Sequence, residues 1–334
     1  MQGRPIVTVF IPTYNRARFL RDALTCLRLQ TLSHDALRIV VADNASPDDT
    51  AGVVRAFSDL NIVYVRRESN LGAMENWLGA REFFDTTYFH FLSDDDLLAP
   101  WHLEHALKQM ERFPELGAFG GAHQYGTGLW SRDLMRADFR LGDQKIDWND
   151  QLCHWSREQW LAAHSIISAV GINSTLFRTE VLSSINPLFD PELPIAVVDC
   201  WLMARVGATT SCMTTPWVTS SLRAVGGNIV HGRSDLWVDG TIPKASRMVA
   251  LRVLDLARDN GHDLPLFWRT YLEGQGHDRD DIRKLIHETY PDSDARGALG
   301  DWNPNPSPMG RLDRLGVPEP VKRRIRGAKT ALLG

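Results

Sequence analysis

The chain has 334 residues, 43% hydrophobic and 23% charged, with a formal net charge of −4. That length suits two domains or one large one, and the composition is that of a soluble globular protein. The slight negative charge excludes the basic field of a nucleic-acid-binding protein, so no nucleic-acid partner is expected.

In chain order, Ile6-Val7-Thr8-Val9-Phe10-Ile11 predicts a buried strand, stopped by Pro12. Phe19, Leu20, Ala23, Leu24 and Leu27 recur at helical spacing and predict a helix over 17–29. A second strand is expected over 37–42. The polar turn Asp43-Asn44-Ala45-Ser46-Pro47 follows, with Asp48 or Asp49 capping a helix to about residue 57. Residues 62–65 read as a third strand, Asn70-Leu71-Gly72 opens a helix through 84, and Tyr88-Phe89-His90-Phe91-Leu92 reads as a fourth strand. A helix is expected over 103–113, where His102 and His105 read as surface residues. Further expectations are a strand over 116–120, an irregular stretch over 126–160, a strand pair within 165–177 and a helix over 199–206. Later helices are expected over 246–260, 264–273 and 278–290, with a Gly/Pro-rich linker over 298–310. Repeated β-α-β units with short loops predict a doubly wound, mostly parallel α/β sheet, Rossmann-like in its winding, with a C-terminal helical appendage.

Four cysteines (Cys26, Cys153, Cys200, Cys212) without a CxxC pair argue against a zinc site or a disulfide framework and fit a reducing cytosol. No apolar stretch is long enough to span a membrane and no signal peptide is apparent, so a cytoplasmic location is expected. Trp130, Trp148, Trp155, Trp160 and Trp201 serve either as core or as stacking platforms for sugar rings.

In doubly wound sheets, ligands bind beyond the C-terminal ends of the strands. Those ends carry Thr13, Tyr14, Asn15 and Arg16, then Asp43 and Asn44, then Arg66, Arg67 and Asn70, and finally Asp94-Asp95-Asp96. Three adjacent carboxylates repel one another unless a cation neutralises them, and carboxylate oxygens suit Mg²⁺ or Mn²⁺. The edge reads as a metal-plus-polyanion site, although Asn, Asp and Ser are also ordinary turn formers.

Residues 7–16, residues 40–50, Asn70-Leu71-Gly72 with Asn76, and Phe91-Leu92-Ser93-Asp94-Asp95-Asp96 with Pro100 occur in an order and spacing that resembles family 2 glycosyltransferases of the GT-A fold. The resemblance is dense over 6–105, looser over 172–207 and absent after about 235. It implies a metal-dependent, inverting transfer of a sugar from a nucleoside diphosphate donor, UDP- or dTDP-type, to an acceptor hydroxyl. The acceptor would be a saccharide, a lipid-linked saccharide or a small molecule, in cell-surface polysaccharide, glycolipid or secondary-metabolite glycoside synthesis. Residues 1–115 would hold the donor, 116–240 would form the acceptor half, and 241–334 would be a helical region with a basic tail.

By the same resemblance Asp43 accepts a hydrogen bond from the base, with Asn44 standing where a second Asp is common. Pro12, Thr13, Tyr14, Asn15 and Arg16 would lie along the nucleoside, and Asn70, Gly72 and Asn76 would close over ribose and base. The three aspartates correspond to the DXD motif. Counting back from Pro100 places Ser93 where the first Asp is expected, so Asp95 becomes the main metal ligand and Asp94 faces ribose and metal. Asp96 would ligate through water or hold the loop. Asp199, in the context Asp199-Cys200-Trp201-Leu202-Met203-Ala204-Arg205, would be the general base, with Val198 where Glu is usual; its alternative role is a helix cap. Asp190 is the next candidate base. His231 would complete the metal sphere, or be a plain exposed loop histidine, and Arg223 or Arg233 would bind phosphate.

The tail 311–334 holds seven Lys/Arg against two Asp/Glu. On a helix over 321–333, Val321, Ile325, Ala328 and Leu332 share one face, so this segment either contacts an anionic membrane at the inner surface or docks on the protein itself. Three rivals stand beside the transferase reading. A sugar nucleotidyltransferase would need a glycine-rich loop after the first strand, which Pro12-Thr13-Tyr14-Asn15 lacks. A phosphate-accepting signalling module would be far shorter. A non-catalytic sugar-binding relative fits the departures at Ser93 and Val198.

Overall fold

The structure, a computed structural model, describes residues 5–126, 152–157, 160, 161, 164, 170–223 and 241–262. Its first part alternates β1 (Val7–Thr13), α1 (Ala17–Arg28), β2 (Leu37–Asp43), α2 (Thr50–Arg55), β3 (Ile62–Arg66), α3 (Ala73–Leu78) and β4 (Tyr88–Phe91). The order β3-β2-β1-β4 is parallel throughout. Then come β5 (Leu97–Leu98), α4 (His102–Arg112), β6 (Leu116–Gly126), β7 (Cys153–Trp155), β8 (Thr175–Arg178), α5 (Thr179–Ser184), α6 (Val198–Thr209), β9 (Ser211–Arg223) and α7 (Thr241–Asp259). These strands continue the same sheet as β4-β8-β6-β9-β5. β8 is antiparallel to both neighbours, β6 is parallel to β9, and β5 and β7 are antiparallel to β9.

Helices cover both faces of the sheet, which is why β1 is buried along its whole length and reads as an unbroken apolar run. Val7, Val9 and Ile11 face Leu20, Leu24 and Leu27 of α1. Phe10 and Val40 face the opposite layer, which includes Phe89, Phe91 and Leu202. There Phe91 meets Trp77 at 5.7 Å, Phe189 at 5.8 Å and Phe10 at 6.3 Å between ring centroids. Asp49 caps α2 through the Gly52 amide, whereas Asp48 accepts from the Ala17 amide and so caps α1 from a loop remote in sequence.

The early elements match the sequence expectations closely. The helix expected through 84 is short, continuing as a 3₁₀ turn (Gly79–Phe83). Within the expected strand pair of 165–177, Ile172–Ser174 is a 3₁₀ turn and strand begins at Thr175. The thirteen-residue β9 has no counterpart in the sequence reading. Its Ser- and Thr-rich sequence lacks clear alternation, and pairing with β6, β5 and β7 holds it. Trp155 and Trp160 are core residues: their indole N–H groups donate to Thr214 Oγ1 at 2.8 Å and Met203 O at 2.6 Å. Trp130 and Trp148 lie outside the described residues. α7 buries Ala245, Val249, Val253 and Ala257, and its Arg252 pairs with Asp190 and Glu192. The expected helices over 264–273 and 278–290, the linker and the basic tail also lie outside the described residues. Among the described residues no helix is long and apolar enough to cross a membrane.

His102 and His105 correct the surface expectation. Both are buried under α4, and the His102 ring meets the wholly buried His90 of β4 at 5.4 Å. The apolar stripe of α4 includes these imidazoles because burial holds them neutral. Burial lowers the His90 pKa to about 3 and that of His105 to about 4, and takes His102 well below its ordinary value. A folded-state pKa below the unfolded value of about 6.5 gives stability that is complete above that pH. It is lost as pH falls toward 4, at up to about 1.4 kcal/mol per pH unit for each histidine. Asp94, raised by burial and by Asp95, contributes with the opposite sign. The measurement is therefore comparative: the stability of His90→Phe relative to wild type should rise steadily between pH 7 and 4.5. Parallel stability curves would contradict the assignment.

Candidate active site

The site lies along the C-terminal edge of β3, β2, β1 and β4. Parallel register sets Thr13 beside Asp43 and Asp43 beside Arg66. Because Tyr64 and Arg66 are two apart in a strand, they share a face and both reach Asp43. Tyr64 OH donates to Asp43 Oδ2 at 2.5 Å and Arg66 Nη1 donates to the same oxygen at 2.6 Å; the Ser46 amide donates to Oδ1 at 2.8 Å. Burial by itself would raise the Asp43 pKa, but the hydrogen bonds from Ser46, Tyr64 and Arg66 outweigh it and hold the carboxyl below its ordinary value.

The loops after β1, β2 and β3 are shaped by local backbone demands. Asn15 and Ala45 have φ of 55° and 62°, and the Asn15 amide donates to Ser46 Oγ at 2.9 Å. Asn is tolerant of this left-handed region whereas Ala is not, so Ala45 carries strain beside Asp43. Asn44 donates to Asn70 Oδ1 at 2.7 Å and Gly72 O at 3.0 Å, and accepts from the Leu71 amide. Gly72 has φ 86° and ψ 165°, a conformation open essentially to glycine alone. Asn76 is buried and donates to Ala42 O at 2.8 Å, so it supports the end of β2. Tyr14, at 43% exposure, and Asn15 stand open to solvent. Pro12 is buried inside β1 and shapes the edge through its backbone.

The three aspartates form the turn between β4 and β5, closed by the Asp96 amide donating to Ser93 O at 3.1 Å. All three are at least 95% buried. Thr13 Oγ1 donates to Asp94 Oδ2 at 2.7 Å. Arg16 Nη1 bridges Asp94 Oδ1 at 3.2 Å and Asp95 Oδ2 at 2.7 Å. Asp96 points elsewhere, accepting from Asn173 Nδ2 at 2.7 Å and the Arg223 amide at 3.1 Å. Burial, then repulsion from Asp95, pushes the Asp94 pKa up to about 7, and the same two causes raise Asp96. Asn173 also accepts from the Ser93 amide at 2.8 Å, so one buried amide ties the turn to the start of β8. Arg223 arrives because β5 pairs with β9, Leu97 opposite Ser221. Its guanidinium donates to the Asp95 carbonyl, to Asp22 at 2.6 Å and to Phe19 O at 3.4 Å.

Asp199 sits in the first turn of α6 and accepts from the Cys200 amide at 2.9 Å. Burial raises its pKa above the ordinary carboxylate value. No hydrogen bond among the described residues joins it to the aspartate turn. Asp190, the alternative base, is paired with Arg252. His231 and Arg233 lie outside the described residues. The sequence reading assigned no role to Tyr64, Ser46 or Asn173. The period-two spacing of Tyr64 and Arg66 was a signal for the first; nothing local marks Asn173, eighty residues from the turn it braces.

Residues 8–158 match the family model for Glycosyl transferase family 2. Over 145 residues this chain is 28% identical to an uncharacterised glycosyltransferase of Rickettsia typhi; the match spans 43% of this chain and 44% of that relative. The structure of S. aureus TarS 1–349 with UDP-GlcNAc aligns over 94% of this chain and 82% of its own, with TM-score 0.60 and 15% identity. A mannosyltransferase from Pyrobaculum calidifontis, in complex with GDP-Man and Mn²⁺, aligns over 99% and 81%, with TM-score 0.55 and 19% identity. These likenesses establish the GT-A fold.

Among the described residues no three His, Cys, Asp or Glu side chains converge in a metal-binding arrangement. Two carboxylates do converge: Asp94 and Asp95 turn one oxygen each toward a common cation, Arg16 Nη1. Mg²⁺-type sites commonly use one or two carboxylates and complete the shell with substrate phosphates and water. The donor set fits that mode, while the Asp96 carboxylate accepts from Asn173 and from the Arg223 amide.

Proposed function

We propose that this protein transfers a sugar from a nucleoside diphosphate donor to an acceptor hydroxyl, with inversion at the anomeric carbon. The observation that carries the reading is one sheet edge, within a family 2 region, bearing both an Asp43–Arg66 polar pair and the convergent Asp94–Asp95 pair. Asp43 offers an acceptor beside the donors of Arg66. That pattern complements a base edge with N–H beside C=O, as in uracil and thymine, and mismatches the reversed edge of cytosine or adenine. Tyr14 would lie against the base, while Asn70 and Gly72 would close the ribose side.

Asp94 and Asp95 would hold Mn²⁺ or Mg²⁺, which supplies charge stabilisation to the departing diphosphate. Asp199 would take the acceptor's proton as the acceptor oxygen bonds to the anomeric carbon and the bond from that carbon to the diphosphate breaks. A raised pKa suits this task because a base works best when its pKa approaches the working pH. Protonation disables it, so the rate should rise with pH through the Asp199 titration.

Calorimetry with free nucleotides tests the donor reading. With Mn²⁺ present, UDP and dTDP should bind about tenfold or more tightly than CDP and ADP. Asp43→Asn should narrow that gap, and equal binding of UDP and CDP would reject the base assignment.

A further inference from the structure

The inference concerns Arg16 and rests on the donor reading above. One Arg16 nitrogen lies 3.2 Å from Asp94 Oδ1 and 2.7 Å from Asp95 Oδ2. It occupies the point toward which both acids turn, which is where a cation held by both would sit. Arg223 is 4% exposed, with each guanidinium nitrogen given a partner in the protein: the Asp95 carbonyl, Asp22 and Phe19 O. It is built into the wall. Arg16 belongs to the open loop after β1, its side chain is 22% exposed, and its neighbours Tyr14 and Asn15 face solvent. Its backbone is fixed, since its carbonyl accepts from the Phe19 and Leu20 amides to start α1. The start of the helix thus depends on the Arg16 backbone and not on where its side chain points.

We propose that Arg16 is a displaceable counter-cation. It partly offsets the charge of Asp94 and Asp95 while the donor is absent, and a divalent ion must expel it to bind. The seat then takes the metal tightly only together with a diphosphate, which gives the expelled guanidinium a new anion. The charges support this order. With both acids ionised, a guanidinium against them leaves one negative charge, which attracts a divalent ion, yet that ion and the guanidinium repel if both stay. A diphosphate removes the conflict, because its oxygens match the planar fork of arginine. Metal and diphosphate then strengthen each other's binding reciprocally.

Manganese binding to the full chain, read from the EPR signal of free Mn²⁺, tests this without any turnover. In wild type, UDP should tighten Mn²⁺ binding by about tenfold or more. Arg16→Gln should bind Mn²⁺ alone about tenfold more tightly than wild type, and UDP should then add less. Arg16→Lys, which keeps the charge, should stay near wild type. The proposal is overturned if folded Arg16→Gln binds Mn²⁺ no better than wild type, if the Lys variant behaves like the Gln variant, or if neither chain binds Mn²⁺ at all. Should Arg16→Gln fail to fold, equal wild-type affinity for Mn²⁺ with and without UDP overturns it instead. UDP that binds no variant rejects the donor reading, while the comparison with Mn²⁺ alone still decides the role of Arg16.

Discussion

Asp95→Ala is expected to lower kcat/KM by about 10³-fold or more, and to remove the Mn²⁺ dependence of nucleotide binding while the melting temperature stays close to wild type. The magnitude follows from the several kcal/mol that a metal supplies to a departing anionic oxygen, converted to rate. The preserved fold follows from how Asp95 is used. Its backbone carbonyl receives the Arg223 guanidinium, and Ala keeps that carbonyl. Its carboxylate makes the 2.7 Å contact with Arg16, at the cation position. Asp96 is the internal control. Its carboxylate binds Asn173 and the Arg223 amide in a buried setting, so Asp96→Ala should cost about 1–3 kcal/mol of stability. Full activity of the Asp95 variant, or of wild type in EDTA, would remove the metal from the mechanism.

Asp199→Asn should lower turnover by about 10²- to 10⁴-fold with donor affinity unchanged, and should abolish the rise of rate with pH. Asn keeps the shape and can still accept from the Cys200 amide, so α6 should form normally. The contrast between kcat and donor affinity separates a base from a helix cap. Loss of a cap would appear as lower stability, about 1 kcal/mol, with turnover nearly intact. Near-normal turnover would move the base elsewhere. Asp190 is poorly placed to inherit the role because its carboxylate is committed to Arg252 of α7.

The amino-acid sequence by itself determined the parallel half of the sheet and its polar edge. Buried strands announce themselves as short apolar runs, and their turns as Asp, Asn and Gly at fixed offsets. Thr13, Asp43, Asn70, Gly72 and Asp94-Asp95-Asp96 were legible for that reason, being local to the strand ends that present them. The glycine requirement at position 72 follows from one residue's backbone angles. Tertiary structure decided what is not local. β9, Ser- and Thr-rich without clear alternation, is held by pairing with β6, β5 and β7, and it carries Arg223 to a turn 127 residues earlier in the chain. The helical period of α4 cannot tell a buried imidazole from an exposed one, so only packing against β4 placed His102 in the core. The division of labour among three identical aspartates was likewise invisible in the sequence. Arg16 bridges Asp94 and Asp95 while Asn173 and Arg223 hold Asp96, because those partners come from loops that meet only when the sheet has assembled.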